Sequence, residues 1–239
     1  MRTQIRNYVV SDDDAKLYRW IGIENVTCPA DIRQAVAENP EGEDLIVEIN
    51  SYGGNMFVGF EIYSVLREAA CHTVAEIQSL SASAASTAMI GCDEVRASPV
   101  AQVMIHLPAL ATEGDENAHQ RSRVALQSFK ESILNAYELR CKGKKTRQEL
   151  GRMMERETWM SVQDATAAGL VDTVLYDDDG VLAANVVNAV GSGFRALSCG
   201  LPPIEQVRTA WREAHPPEAK PNEAQKARLE AELELLRMM

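Results

Sequence analysis

A surplus of basic residues is what this 239-residue chain most plainly lacks: 24 Lys and Arg face 35 Asp and Glu, for a net charge of −11 at pH 7. A polyanion is held by a concentrated cationic surface, so neither nucleic acid nor an anionic membrane is expected as the main partner. The densest basic cluster, Lys142, Lys144, Lys145 and Arg147, reads as a solvated turn between helices. Long apolar runs are also missing. No window approaches the roughly 20 apolar residues of a membrane span, and MRTQIRNYVVSDDD has no apolar stretch of signal-peptide length, so a cytoplasmic location is expected. Cys28, Cys71, Cys92, Cys141 and Cys199 have no CxxC spacing and read as reduced, mostly core thiols. His72, His106, His119 and His215 form no HExxH or related cluster. No metal and no other cofactor is expected.

What is present is a repeating strand–helix pattern. Asp44–Asn50 (DLIVEIN) reads as a buried strand, followed by a turn on Gly53–Gly54. Phe57, Phe60, Ile62, Tyr63, Val65 and Leu66 then recur at helical spacing before Cys71–Leu80 returns to an extended pattern. That is a βαβ unit, and it implies a parallel sheet with a right-handed crossover. Ala84–Cys92 predicts a buried helix and Val95–Leu107 strand segments broken near Pro99, which repeats the unit. A long amphipathic helix is predicted from Asn117 to about Cys141, and another over Thr146–Glu157. A short helix capped by Ser161 and stopped by Gly169 leads to a closing strand over Leu170–Tyr176. Residues 1–183 are expected to form one α/β domain, 184–221 a linker containing Gly and Pro, and 222–239 a short charged helical tail.

Four places carry candidate chemistry. Gly53 and Gly54 directly after a strand permit positive φ and close backbone approach, so an N–H there can be aimed at an oxyanion; taken alone, the glycines read more simply as a plain βα turn. Ser79, Ser81, Ser83 and Ser86 lie among tiny residues where a strand passes into a helix. A hydroxyl at such a junction sits near free helix N–H groups, as a nucleophile or merely a cap, and physics alone leaves the choice among the four open. His106 ends an apolar strand just before Pro108, a common location for strand-end catalytic groups in open parallel sheets. Glu155 and Glu157 precede Trp159 and the helix capped by Ser161.

Taken together these places resemble the proteolytic subunit of the Clp proteases, from about Trp20 to Tyr176. Asn50-Ser51-Tyr52-Gly53-Gly54 is similar to that family's Asn-Ser-Pro-Gly-Gly, with Tyr52 in place of proline, and Ala84-Ala85-Ser86-Thr87 is similar to its Ala-Ala-Ser-Met. Met104-Ile105-His106-Leu107-Pro108 resembles the stretch bearing its general base, and Gly169-Leu170-Val171-Asp172 its Gly-Leu-Val-Asp. The resemblance implies a spiral of repeated βα units, shared with crotonase-like enzymes, with a long interface helix. It implies a serine endopeptidase with Ser86 as nucleophile, His106 as base and Glu157 as orienting acid where the family has Asp, Asp172 being the alternative acid. The backbone N–H groups of Gly54 and Thr87 would form the oxyanion hole.

The short interval between Ser86 and His106, the Glu-Thr-Trp run and the proline-linked charged tail look like the related proteases of phage head-assembly modules, which implies capsid or scaffold proteins as substrates. A degradative subunit fed by an AAA+ unfoldase is the alternative, and the resemblance implies a homo-oligomeric ring in either case. Three rivals keep the scaffold but change the chemistry: an acyl-CoA enzyme needing no Ser–His pair, a serine–lysine enzyme using Lys130, and a non-catalytic assembly factor.

Overall fold

A computed structural model describes residues 1–178, 181–182 and 201–215. Eight strands, β1 (Arg2–Val9), β2 (Val26–Thr27), β3 (Leu45–Gly54), β4 (Thr73–Ala82), β5 (Glu94–Ala97), β6 (Gln102–Ile105), β7 (Thr158–Ser161) and β8 (Thr173–Val174), make one sheet among the described residues. Its main path is β2-β1-β3-β4-β5-β8, with every pairing parallel. Leu45, Val47 and Ile49 of β3 and Val74, Ala75 and Ile77 of β4 are fully buried, as expected of central strands covered by helices.

β4 serves two partners. Its first half pairs with β5, from Val74↔Glu94 to Ile77↔Ala97, and its second half with β6, from Leu80↔Gln102 to Ala82↔Met104. β6 in turn pairs antiparallel with β7, from Gln102↔Ser161 to Ile105↔Thr158. This short second layer of pairing gathers the site residues.

The helices are α1 (Asp12–Trp20), α2 (Pro29–Glu38), α3 (Met56–Glu68), α4 (Ala84–Met89), α5 (Glu116–Cys141), α6 (Arg147–Glu155), α7 (Val162–Ala168) and α8 (Ile204–Ala214). All six residues of α4 are buried, and small side chains let its backbone approach α3: a Cβ on Gly59 would meet Ala84 O at 2.7 Å. Helix α5 is capped by Asp115, whose carboxylate accepts from Ala118 N at 2.8 Å. Its buried residues, Ile133, Leu134, Tyr137, Arg140 and Cys141, all lie in its C-terminal part. Arg140 is tied down by an ion pair with Asp172 and by the Asp93 carbonyl at 3.2 Å. No helix among the described residues is long and apolar enough to cross a membrane.

The βαβ units from β3 onward lie where the periodicity puts them. The opening β1-α1-β2-α2 has no counterpart in the sequence pattern, because β1 (RTQIRNYV) buries only Ile5 and Val9 fully and shows no clean alternation. The helix expected over Thr146–Glu157 is shorter: α6 stops at Glu155, Glu157 takes a left-handed φ of 50°, and the strand β7 follows. The chain divides into two compact units, Met1–Leu201 and Pro202–Met239. The second holds α8, so part of the expected 184–221 linker is helical, opening after Pro203 with an Arg208–Glu205 pair at 3.0 Å. The expected domain end at 183 and the helical tail at 222–239 lie outside the described residues.

Candidate active site

Ser83 is the single residue between the last residue of β4 and the first of α4, and it makes that turn at φ 55°, ψ −125°, a conformation costly for a residue with a side chain. Two features hold it there. Its N–H donates to Met104 O at 3.0 Å, extending the β4–β6 ladder by one bond. Against its other side lies Gly53, where a Cβ would come within 2.7 Å of Ser83 Cβ and 2.8 Å of Ala84 N, so only glycine leaves room for the junction.

The same ladder delivers the histidine. His106 follows β6 directly, and its Nε2 lies 2.7 Å from Ser83 Oγ. With the ring proton on Nδ1, Nε2 accepts the serine O–H, the arrangement in which a base can take a proton from an attacking hydroxyl. Burial lowers the His106 pKa below its ordinary 6.5, and the charge of Glu157 works in the opposite direction. The imidazole is thus kept neutral and available as a base.

Glu157 reaches this neighbourhood by register. The antiparallel pairing ends at Ile105↔Thr158, so the next residues outward are His106 and Glu157. Met154 O clamps the two segments together, accepting from Leu107 N at 3.1 Å and from Glu157 N at 3.2 Å. The Glu157 carboxylate is turned toward the indole, with Trp159 Nε1 at a long 3.4 Å, and acts on His106 through its charge. The alternative acid, Asp172, is engaged elsewhere: it accepts from Val95 N at 2.8 Å and pairs with Arg140. The structure therefore brings Glu157, and not Asp172, to the histidine.

The expected nucleophile does not occupy the expected place. Ser86 is completely buried one turn into α4; its Oγ donates to Ser83 O at 2.6 Å and lies 2.7 Å from Tyr137 Oη. It faces the core, away from His106, and Ser83 takes the position assigned to it. The physical reason is helical: three residues past the junction, the side chain has rotated to the helix face that packs on α5. Thr87 moves with this correction. Its N–H is spent inside the helix on Ser83 O at 3.3 Å. The N–H beside the hydroxyl-bearing residue is that of Ala84, which as the first residue of α4 has no intrahelical acceptor. Gly54, the other expected donor, lines the same cavity as Ser83, Ala84 and His106.

That cavity measures about 360 Å³ and is otherwise walled mainly by apolar groups, among them Met56, Phe57, Leu110, Phe129 and Ile133. Phe57 packs edge-on against Phe129 with ring centres 5.1 Å apart, closing one wall. Lys130, the alternative base, forms an ion pair with Glu155 at 2.8 Å and is not among the residues lining the cavity. Among the described residues no group of His, Cys, Asp and Glu is arranged to hold a metal.

One signal in the sequence does point to Ser83. Ser81-Ala82-Ser83-Ala84-Ala85-Ser86 matches a small-small-Ser pattern in two registers three residues apart, and only Ser83 is the strand-to-helix residue itself.

A parallel sheet built from βα units, with a serine and a histidine joined at adjacent strand ends beside a glycine turn, is the architecture of a ClpP-like peptidase. The chain belongs to the Clp protease family, whose model matches residues 32–178. It is 27% identical over 147 residues to ATP-dependent Clp protease proteolytic subunit 1 of Chlamydia abortus, covering 58% of this chain and 72% of that one. It is also 27% identical over 139 residues to the proteolytic subunit of Porphyromonas gingivalis, covering 56% and 60% of the two chains. A mutant ClpP1 from Listeria monocytogenes has a similar fold, with a TM-score of 0.60 at 16% identity over 75% of this chain and 93% of that one. The expected α/β spiral is the fold observed.

Proposed function

We propose that the protein is a serine endopeptidase in which Ser83, His106 and Glu157 form the triad and the N–H groups of Ala84 and Gly54 form the oxyanion hole. The observation that carries this reading is the 2.7 Å contact between Ser83 Oγ and His106 Nε2 at the mouth of an apolar cavity. His106 Nε2 takes the Ser83 proton as Oγ bonds to the scissile carbonyl carbon, and the carbonyl oxygen becomes an oxyanion facing the two N–H groups. As the tetrahedral intermediate collapses, the C–N bond breaks and the amine leaves with the proton from Nε2. Water, deprotonated by the same nitrogen, then hydrolyses the acyl-serine and restores Ser83. Glu157 rotates from Trp159 to accept Nδ1–H while the imidazole carries its transient positive charge.

The cavity suits an apolar side chain next to the scissile bond. The finer reading is a head-assembly type of protease that works in the cytoplasm as a homo-oligomeric ring and cuts capsid or scaffold chains. It is supported by Glu157 in the place of the family's Asp and by the proline-linked, charged C-terminal sequence. A degradative subunit fed by an AAA+ unfoldase is the competing reading: it predicts cleavage of unrelated unfolded chains, whereas a processing enzyme cuts one protein at few positions.

The test is fluorophosphonate labelling of the full chain, read by peptide mass spectrometry, in parallel with Ser83→Ala and His106→Ala. An adduct on Ser83, lost in both variants, is expected. An adduct on Ser86, or labelling that survives Ser83→Ala, overturns the assignment.

A further inference from the structure

Outside the Ser–His–Glu set, two buried polar side chains lie directly beneath the reactive residue and bond to each other: Ser86 and Tyr137. Ser86 Oγ donates to Ser83 O at 2.6 Å, and that carbonyl also accepts from Ser86 N at 3.0 Å and Thr87 N at 3.3 Å. Since the Ser86 proton points at Ser83 O, the 2.7 Å contact to Tyr137 is made by the phenol donating to Ser86 Oγ. The chain of donors runs from Tyr137 to Ser86 to the Ser83 carbonyl.

The consequence follows from the planarity of the peptide bond. In a trans peptide the C=O and the following N–H point in opposite directions, so whatever holds Ser83 C=O also aims Ala84 N–H. The carbonyl is drawn into α4, which turns Ala84 N–H out toward the cavity that both residues line. Ser83 sits at φ 55°, ψ −125°, and a junction in that region relaxes unless its neighbours hold it.

We propose that Ser86 and Tyr137 are positioning residues that fix the Ser83–Ala84 peptide plane and thereby aim the Ala84 N–H of the oxyanion hole. This rests on Ser83 being the nucleophile. Burial raises the Tyr137 pKa, so its phenol remains a donor throughout the working range of the histidine. Neither side chain exchanges a proton with substrate; both act on the transition state through the direction of one N–H.

The experiment compares Ser86→Ala, Ser86→Thr, Tyr137→Phe and Ser83→Ala in the full chain. Its probes are a fluorogenic peptide amide with an apolar residue before the scissile bond, and a peptide boronate as transition-state analogue. Loss of a whole oxyanion donor costs about 10²–10³ in kcat. A donor left in place but mis-aimed is expected to cost Ser86→Ala about 10- to 100-fold in kcat, with KM within about threefold. Boronate affinity should fall by the same factor as kcat/KM, and the acidic limb of the pH profile should stay in place because His106 is untouched. Tyr137→Phe keeps the ring and is expected to give a smaller loss with the same pattern; Ser86→Thr, which restores the hydroxyl, should recover most of kcat.

Unchanged kcat in both Ser86→Ala and Tyr137→Phe, with Ser83→Ala inactive, would overturn the positioning role and leave the nucleophile standing. So would a fall in kcat with undiminished boronate binding. If Ser86→Ala does not fold, Tyr137→Phe decides by the same criteria. Activity surviving in Ser83→Ala and absent in Ser86→Ala would instead overturn the nucleophile assignment on which the proposal rests.

Discussion

Replacing Gly53 by alanine tests how tightly the reactive junction is built. Gly53 has φ +90°, and a Cβ there would meet Ala82 O at 2.6 Å, Ser83 Cβ at 2.7 Å and Ala84 N at 2.8 Å. Every one of these atoms belongs to the strand-to-helix turn, so none can move without moving Ser83 or the N–H beside it. Gly42 is the matched control: its φ is +78°, and an added Cβ meets nothing within 4 Å. Both substitutions carry the cost of a positive φ in an L-residue, about 1–2 kcal/mol. Gly53→Ala adds overpacking of about 1–3 kcal/mol, for a total of about 2–5 kcal/mol. The functional loss should exceed the loss of stability, since displacing a reacting group by about 1 Å costs on the order of 10²-fold in rate. Denaturant unfolding measures the first effect, and the rate of fluorophosphonate labelling of the folded fraction measures the second. Equal destabilisation by the two alanines, or normal labelling of folded Gly53→Ala, would refute a junction packed this closely against Gly53.

Other perturbations read other parts of the site. His106 is held below its ordinary pKa of 6.5 by burial, so activity should fall only once the pH drops below that value; Glu157→Gln removes the charge that opposes burial, and should lower kcat while moving the acidic limb further down. The same shift has a stability sign: the unfolded chain binds the His106 proton more readily than the folded one, so this contribution is present above pH 6.5 and is lost on acidification through the folded pKa. Asp172→Asn should cost about 1–3 kcal/mol, because Arg140 is left buried without its carboxylate partner, yet kcat per folded molecule should be unchanged. Burial pushes the thiol of Cys92 up to about 12 and that of Cys141 to about 11, so among the cysteines of the described residues iodoacetamide at pH 8 should alkylate the partly exposed Cys71 first and reach Cys92 only after unfolding.

The legible part of the fold is the part with strong periodicity. DLIVEIN and the Cys71–Leu80 run bury the residues their spacing selects, because parallel strands covered on both sides leave little freedom in which side chains go inside. The helix between them is read less well: of the face from Phe57 to Leu66 only Ile62 and Leu66 are buried, Val58 and Gly59 complete the packed side, and Phe57 is exposed. The opening strand is hard to read for the complementary reason. Beyond Ile5 and Val9 its residues are largely polar, and Arg2 is spent on Glu48 at 2.7 Å and Glu76 at 3.0 Å, contacts set by strands far away in sequence. Strand β7 is equally non-local: Thr158–Ser161 is a strand because β6 lies beside it, and no four-residue pattern announces that.

The site divides along the same line. His106 stands out because it ends an apolar strand, whereas the sequence leaves Glu157 and Asp172 both open as the acid; the β6–β7 register puts Glu157 next to His106, and Asp172 is engaged by Val95 N and Arg140. The serine is legible only to within one helical turn. Two hydroxyls, at Ser83 and Ser86, occupy the same run of small residues, and composition cannot separate them; the β4–β6 ladder can. With Ala82 paired to Met104, only the next residue, Ser83, is carried to the end of β6 where His106 follows, while Ser86 is turned inward against Tyr137. A single tertiary register therefore separates the two serines: the one that ends the ladder meets the histidine, and the one a turn later donates to its carbonyl.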